Sequence, residues 1–366
     1  MVREKKERSG LDAIKKWIGL AAALASFGSA LYGVLRVEAD VRERKHEVTA
    51  QLAAGREQQT AGDYAQAWES FERARKAAEK EGSIQKLLGS SAQVQQVRAA
   101  QEDLLMEWVR GARGTDFAAI AAIADKTVSA LTSDLDSAAG SRKADMLAHI
   151  GWAYFLKRRN DEGVGDPMKF YREALALDPQ NPYANVFCGH QILWNHGSLA
   201  QARQYFATAL ASNRARAVVR EFQLAALGNE RGPEDAEPAW WQAVDEMHKD
   251  NEPLDERTLN DMVGKYQSAL RSDADLAVLF AAVPPAEHVE LLRLLLRSAP
   301  PDRNAGNVLS VKVALAAALE AAGRPEESLA TWRDVQASTQ GDPSFVFDSR
   351  INAALKRLSS SGGKTH

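Results

Sequence analysis

The sequence has few cysteines, little net charge and no strand-like runs. Cys188 is the single cysteine among 366 residues, so no disulfide can form within the chain. The formal net charge is only −3, which gives no general attraction for nucleic acid. Runs of alternating β-branched residues, which would indicate strands, are also missing. We therefore expect an all-α fold that is held together by helix packing, with no nucleic acid partner.

Motifs for metal binding, nucleophilic catalysis and phosphate binding are missing as well. Cys188, His190 and His196 are close in the sequence, but residues 188 and 190 of a helix point about 200° apart, so the three do not converge. No second cysteine, CxxC or HExxH motif completes a zinc site. The glycine clusters at 110–114 and 162–166 lack the Gly-Lys-Ser/Thr ending of a phosphate-binding loop. We expect no enzyme activity, no metal and no cofactor.

One short pattern occurs twice, at 62–74 and at 197–209, and both copies read G-x-x-A-Q-A-x-x-x-F-x-x-A. Gly62 and Gly197 begin the copies and belong to a turn. The residues that share one face of the following helix are Ala67, Phe71 and Ala74 in the first copy and Ala202, Phe206 and Ala209 in the second. Small residues on this face let a neighbouring helix approach, and the phenylalanine fills the space between. Gly55 is the small residue that the preceding antiparallel helix needs at this contact.

This pattern resembles the tetratricopeptide repeat, a helix-turn-helix unit of about 34 residues. Less regular copies lie at 144–181 and 308–335, and a further candidate at 231–247 has Pro238 within its second helix. The residues of the less regular copies in family positions are Gly151, Tyr154, Tyr171, Ala174 and Pro179, then Gly323, Ser328 and Trp332. The resemblance implies a solenoid of stacked helical hairpins, a fold that usually binds other proteins.

A second feature is the apolar run at 17–35, which contains no charged side chain. A helix of that length spans about 28 Å, close to the hydrocarbon thickness of a bilayer. We therefore predict a single transmembrane helix at 17–36 after a basic tail at 1–16. Two alternatives stay open, a cleaved signal peptide with its site near 23–25 or 28–30, and a buried soluble helix.

Flanking charges bear on the orientation of this helix. Six basic residues precede it and four follow shortly after, which favours a cytoplasmic N-terminus and a helical body outside. The composition, rich in alanine and arginine, is typical of bacteria, so we expect a body in the periplasm on the inner membrane, with a cytoplasmic body as the alternative. Small residues at four-residue steps form one stripe on this helix: Ala21, Ala25, Ser29 and Gly33. Such a stripe favours a homodimer through the helix, although alanine-rich helices also produce stripes of this kind by chance.

Composition divides the rest of the chain into four segments. These are helical repeats at 37–228, a linker or irregular region at 229–256, C-terminal helical repeats at 257–358 and a disordered tail at 359–366. The segment at 229–256 is rich in glycine, proline and acidic residues, which interrupt helices.

The family resemblance implies a partner-binding groove lined by the first helix of each hairpin. With Gly151 in the family's small position, Trp152 and Phe155 point to that groove, and the next repeat directs Trp194 and Asn195 to it. Aromatic groups suit a peptide with apolar anchors, but they suit packing between repeats equally well. We interpret the chain as a membrane-anchored, non-catalytic scaffold for a protein or peptide partner. A solenoid that senses a ligand or peptide, and a soluble exported binding protein, are the alternatives.

Overall fold

The computed structural model describes most of the chain with several gaps. The described residues are 32, 36, 38–79, 91–112, 116–159, 165–228, 236–298, 305–339 and 346–361. Apart from Tyr32 and Arg36, the predicted membrane segment and basic tail lie outside them, as do the predicted homodimer stripe and the end of the predicted tail. Within the described ranges, no helix is both long enough and apolar enough to cross a bilayer.

Every regular element in the described ranges is a helix, which confirms the all-α prediction for this part of the chain. The first, α1, covers residues 38–60. The helices that follow are α2 (Tyr64–Glu79), α3 (Ser91–Gly111), α4 (Phe117–Asp134), α5 (Gly140–Arg158), α6 (Pro167–Leu177), α7 (Pro182–Trp194), α8 (Leu199–Ala211), α9 (Arg216–Leu227), α10 (Ala236–Lys249), α11 (Glu256–Ala269), α12 (Asp273–Ala282), α13 (Pro285–Ser298), α14 (Ala305–Ala321), α15 (Pro325–Ser338) and α16 (Asp348–Ser361).

Short polar residues begin several of these helices. Asp116 starts α4 because its carboxylate accepts a hydrogen bond from the backbone N–H of Ala119 at 3.0 Å. The side chain of Asn181 does the same for α7, where Pro182 occupies the first helical position. Further N-caps with a side-chain hydrogen bond are Ser198 for α8, Asp255 for α11 and Ser272 for α12.

Helix α10 lies inside the stretch 229–256, for which the sequence indicated a linker or irregular region. The difference comes from Pro238, which breaks a helix only when it lies in the interior. Since α10 begins at Ala236, Pro238 lies in the first turn, where its missing N–H would have no partner within the helix. The two tryptophans that follow, Trp240 and Trp241, are then buried. At the other end, α16 continues to Ser361 and includes the start of the predicted disordered tail.

The chain divides into two compact units. The first contains residues up to Ala138 together with Trp152–Pro167, and the second contains Ala139–Gly151 together with Met168–His366. The predicted division at 229–256 therefore falls within the second unit.

The α1–α2 hairpin forms the core of the first unit. Val48 and Leu52 of α1 pack with Phe71 of α2 and with Val97 and Leu104 of α3. Gly55 permits this packing, because a methyl group in its place would lie 2.6 Å from Cδ1 of Phe71. The sequence pattern had put these two residues at the contact between the helices.

The α7–α8 hairpin of the second unit has the same contact with a different turn. A methyl group at Gly189 would lie 2.5 Å from Cε1 of Phe206, which makes Gly189 the counterpart of Gly55. The left-handed residue that ends α7 is His196, with φ 56°, whereas Gly62 with φ 80° ends α1. Gly197 is therefore an additional turn residue. Both left-handed residues follow their contact glycine by seven positions, since 62 − 55 = 196 − 189.

The α14–α15 hairpin is a third variant. Gly323, with φ 73°, supplies the left-handed turn. Ser328 takes the place of the alanine, and its buried hydroxyl donates a hydrogen bond to the carbonyl oxygen of Ala316 at 2.8 Å. Trp332 takes the place of the phenylalanine and is 1% exposed. The three hairpins show that this pattern of small residue and aromatic residue fixes helix pairing in both units.

Candidate partner-binding surfaces

The first unit carries a half-buried aromatic surface, which we call the aromatic surface, formed by Tyr64, Trp68 and Trp108. The rings of Tyr64 and Trp108 stack with centroids 6.1 Å apart. The ammonium group of Lys126 lies 4.7 Å from the ring centroid of Trp68 and 5.4 Å from that of Trp108. A cation held over two indoles is attracted by the negative face of each ring. This surface therefore combines apolar area with one positive charge.

The carboxylate of Glu107 fixes the helices that carry this surface. It accepts a hydrogen bond from the side-chain amide of Gln59 on α1 at 2.5 Å and one from the hydroxyl of Tyr64 on α2 at 3.3 Å. Because Glu107 itself belongs to α3, one carboxylate joins three helices. The aromatic surface is thus positioned by the fold before any partner arrives. This surface was not predicted from the sequence, although Tyr64 and Trp68 lie four residues apart on the α2 face next to the repeat positions.

Trp152 and Phe155, two of the four predicted groove residues, are buried. They are 5% and 3% exposed, and their rings stack with centroids 4.8 Å apart. The indole N–H of Trp152 donates a hydrogen bond to the carbonyl oxygen of Val109 at 3.1 Å. Both side chains therefore pack inside the first unit, and a partner-binding role for them stays a prediction.

Trp194 and Asn195, the other two, lie at the end of α7 in the second unit. Trp194 is half-buried and Asn195 is exposed. Asn195 caps the helix, because its backbone N–H donates to the carbonyl oxygen of Gln191 at 3.0 Å. These two residues reach solvent, so a partner could touch them without a rearrangement of the core. Their role in binding also stays a prediction.

Cys188, His190 and His196 form no reactive cluster. Cys188 is fully buried, and burial raises the pKa of its thiol to about 12. A thiol with that pKa carries almost no thiolate at neutral pH and is a poor nucleophile. His196 is exposed in the turn after α7. In the described part of the chain, no group of three or more histidine, cysteine or acidic residues is placed to hold a metal ion.

Two groups of ion pairs in the second unit were not foreseen from the sequence. Arg220 is 2% exposed and bonds the carboxylates of Glu246 and Glu252, each at 3.1 Å. Arg214 bonds Asp145 at 2.8 Å, and burial raises the pKa of that carboxyl group despite the arginine. Since every one of these charges has a partner, we assign them to the packing of helices rather than to chemistry.

A buried histidine joins three helices of the same unit. Nε2 of His288 on α13 donates a hydrogen bond to the carbonyl oxygen of Leu279 on α12 at 3.2 Å. This leaves Nδ1 as an acceptor for the hydroxyl of Tyr266 on α11, at 2.8 Å. Burial lowers the pKa of His288 to about 4, so the imidazole is neutral at physiological pH.

Comparison with known proteins adds little to this geometry. No protein-family model matches the chain, and no curated protein matches it. A solved structure described as the P58(IPK) TPR domain is similar over 87% of this chain and 99% of its own, with 12% sequence identity and a TM-score of 0.19. A likeness at that TM-score supports no conclusion about this protein. The helical hairpins rest on their own contacts, namely Gly55 with Phe71 and Gly189 with Phe206.

Proposed function

We propose that the chain is a non-catalytic helical scaffold that holds a protein or peptide partner at a membrane. The observation that carries this proposal is the aromatic surface of the first unit. Tryptophan and tyrosine are enriched where proteins bind one another, because they bury much area at a small entropic cost. Here they are only half-buried, and Glu107 holds their helices in place beforehand.

The charge of this surface indicates the chemistry of its partner. Lys126 already lies over Trp68 and Trp108, so an incoming cation would meet a like charge. A carboxylate beside an apolar side chain would instead pair with Lys126 while the apolar group covers an indole. We therefore propose a peptide segment in which apolar and acidic residues are adjacent.

The membrane part of the proposal is supported by the sequence of residues 17–35. Its length and lack of charge favour a membrane anchor, and the excess of basic residues before it favours a body outside. The composition, rich in alanine and arginine, favours a bacterial inner membrane with that body in the periplasm. Anchoring would raise the effective concentration of partners at the membrane surface. A reporter fused after Arg36 tests the orientation, and N-terminal sequencing of the mature chain tests whether the segment is cleaved.

Affinity capture from membranes tests the scaffold with three forms of the full chain. The first is the natural chain, the second carries Trp68→Ala with Trp108→Ala, and the third carries Phe117→Ala. Phe117 lies in the same unit, is 50% exposed and is not one of the residues that form the aromatic surface, so it is a matched aromatic control. We expect the natural chain and the control to retain the same partner and the double variant to lose it.

Equal capture by all three forms would remove the aromatic surface from the proposal. Hydrogen exchange of each variant checks that the first unit remains folded. A separate Trp194→Ala variant then tests the surface formed by Trp194 and Asn195 at the end of α7. If neither surface changes capture, or if no partner is retained, the scaffold function itself is refuted.

A further inference from the structure

An open cavity of about 680 Å³ lies in the second unit between α12, α14, α15 and α16. Leu276 and Phe280 of α12 and Trp332 of α15 supply apolar wall. Arg350 and Arg357 of α16 line the same space. Sites for small organic molecules have volumes in this range and combine apolar walls with a few polar groups.

Two residues that line this cavity each have a buried N–H donor with no acceptor among the described residues. Trp332 is 1% exposed, and its Nε1 makes no hydrogen bond there. Nη1 of Arg350 is also buried without an acceptor, although Nη2 pairs with Asp273 at 2.7 Å. A buried donor without an acceptor has lost its hydrogen bonds to water and gained nothing in exchange. Both nitrogens have almost no exposed surface, so a ligand reaches them only with a small movement of these side chains, and its acceptor atoms would then satisfy both donors.

The residues that line the cavity carry one positive charge in excess. Arg357 is compensated, since its Nε and Nη2 bond Glu320 at 2.8 and 2.9 Å. Arg350 has Asp273 as its partner. Arg271 lines the same cavity and has no side-chain partner in the described ranges. Three arginines against the carboxylates of Asp273 and Glu320 favour a ligand with a single negative charge.

We infer that this cavity binds a small molecule that carries a carboxylate on an apolar body. A carboxylate has two acceptor oxygens, as many as there are unsatisfied donor nitrogens, Nε1 of Trp332 and Nη1 of Arg350. A phosphate has three free oxygens and nearly two charges at neutral pH, which exceed both the donors and the excess charge. The apolar body would lie against Leu276, Phe280 and the indole. This site is separate from the aromatic surface, so either proposal can fail without the other.

Three probes of similar shape test this assignment on the full chain. Phenylpropanoate carries the carboxylate, phenylpropanol is its neutral counterpart, and phenyl phosphate carries the alternative anion. The readout is the indole N–H resonance of Trp332 in protein with nitrogen-labelled tryptophan, assigned by its loss in Trp332→Phe. We expect phenylpropanoate to move this resonance in a saturable way and phenylpropanol to leave it in place.

Two variants on α16 sharpen the test. Arg350→Gln removes the unpaired donor and one charge, so we expect phenylpropanoate to bind at least about tenfold more weakly, as for loss of a charged hydrogen bond. Arg357→Gln is the matched control, because Nε and Nη2 of that guanidinium already bond Glu320, and its affinity should change less than in Arg350→Gln. Arg350 pairs with a carboxylate that is 96% exposed, so its loss should leave the fold intact, which thermal unfolding checks.

Several outcomes would overturn the inference. An equal response to phenylpropanol would show that only the apolar body binds. Tighter binding of phenyl phosphate would replace the carboxylate with a phosphate. A Trp332 resonance that none of the probes moves would remove the site altogether, as would equal affinities of the two arginine variants.

Discussion

The α1–α2 hairpin of the first unit and the α7–α8 hairpin of the second unit have the same contact and different turns. Each pairs a glycine with a phenylalanine, Gly55 with Phe71 and Gly189 with Phe206. In the first, glycine adopts the left-handed turn conformation, whereas in the second His196 adopts it and one further residue follows. The contact between the helices therefore determines the hairpin, while the turn is adjusted to reach it.

The largest expected effect is loss of either phenylalanine. Both rings are buried, so Phe71→Ala and Phe206→Ala should each lower the free energy of unfolding by about 3–5 kcal/mol. Hydrogen exchange resolved by peptide reads each hairpin separately. Phe117→Ala, at a half-exposed ring, should change stability by no more than about 0.5 kcal/mol. A large loss at one hairpin and none at the other would show that the two contacts are not equivalent.

Acid should distinguish the two units through His288. The pKa of this buried imidazole is lowered from 6.5 to about 4 in the folded chain, so below pH 6.5 the unfolded chain takes up a proton that the folded chain does not. The contribution of neutral His288 to the free energy of unfolding of the second unit is therefore complete above pH 6.5. That free energy should fall by about 3 kcal/mol as the pH drops towards 4.

The groups that face His288 set the control for this measurement. Tyr266 donates a hydrogen bond to it. The charge of Asp245 raises the pKa of His288, but by less than burial lowers it. In His288→Gln, denaturant unfolding of the second unit should lose most of its dependence on pH between 6.5 and 4. An unchanged pH profile in that variant would show that another group is responsible.

A smaller effect should follow from a methyl group at either contact glycine. Gly55→Ala and Gly189→Ala would press a carbon against the facing ring, and overpacking of this kind costs about 1–3 kcal/mol. Gly264→Ala on α11 is the control, since nothing lies within 4 Å of the added carbon. There the better helix propensity of alanine should raise stability by up to about 1 kcal/mol, as denaturant unfolding would show. A gain at Gly55 or Gly189 would mean that the helices do not touch there.

The turns should give the smallest effect, with opposite signs in the two hairpins. Gly62→Ala forces a side chain into the left-handed conformation and should cost about 1 kcal/mol. His196→Gly relieves the same conformation and should gain up to about 1 kcal/mol. Denaturant unfolding of both variants measures the two signs. A loss in His196→Gly would show that the imidazole makes contacts that outweigh the backbone strain.

The sequence allowed prediction of the hairpins because their contact is local. Ala67, Phe71 and Ala74 recur on one helical face, and the pattern needs only a few residues to be visible. Gly197 belongs to the second turn as predicted, but the residue with the positive φ is His196, which the letters do not reveal. The sequence indicated a linker or irregular region at 229–256 although it also offered a candidate helix there with Pro238 inside it, since the effect of Pro238 depends on where the helix begins.

The candidate sites were harder to predict because they depend on distant segments. Trp152 satisfies its indole N–H with Val109, more than forty positions earlier, and is therefore buried rather than offered to a partner. The aromatic surface needs Lys126 to reach two tryptophans on other helices. The cavity joins Leu276 to Arg357, and no spacing in the sequence reports that approach.

The buried thiol of Cys188 has a practical consequence for work on the natural chain. Maleimide reagents attack the thiolate, and a pKa of about 12 leaves almost none at neutral pH. A cysteine introduced at Val278, which is 63% exposed, would then be the only fast-reacting thiol among the described residues. With a reagent that cannot cross a bilayer, that single thiol would report in intact cells on which side of the membrane the folded body resides.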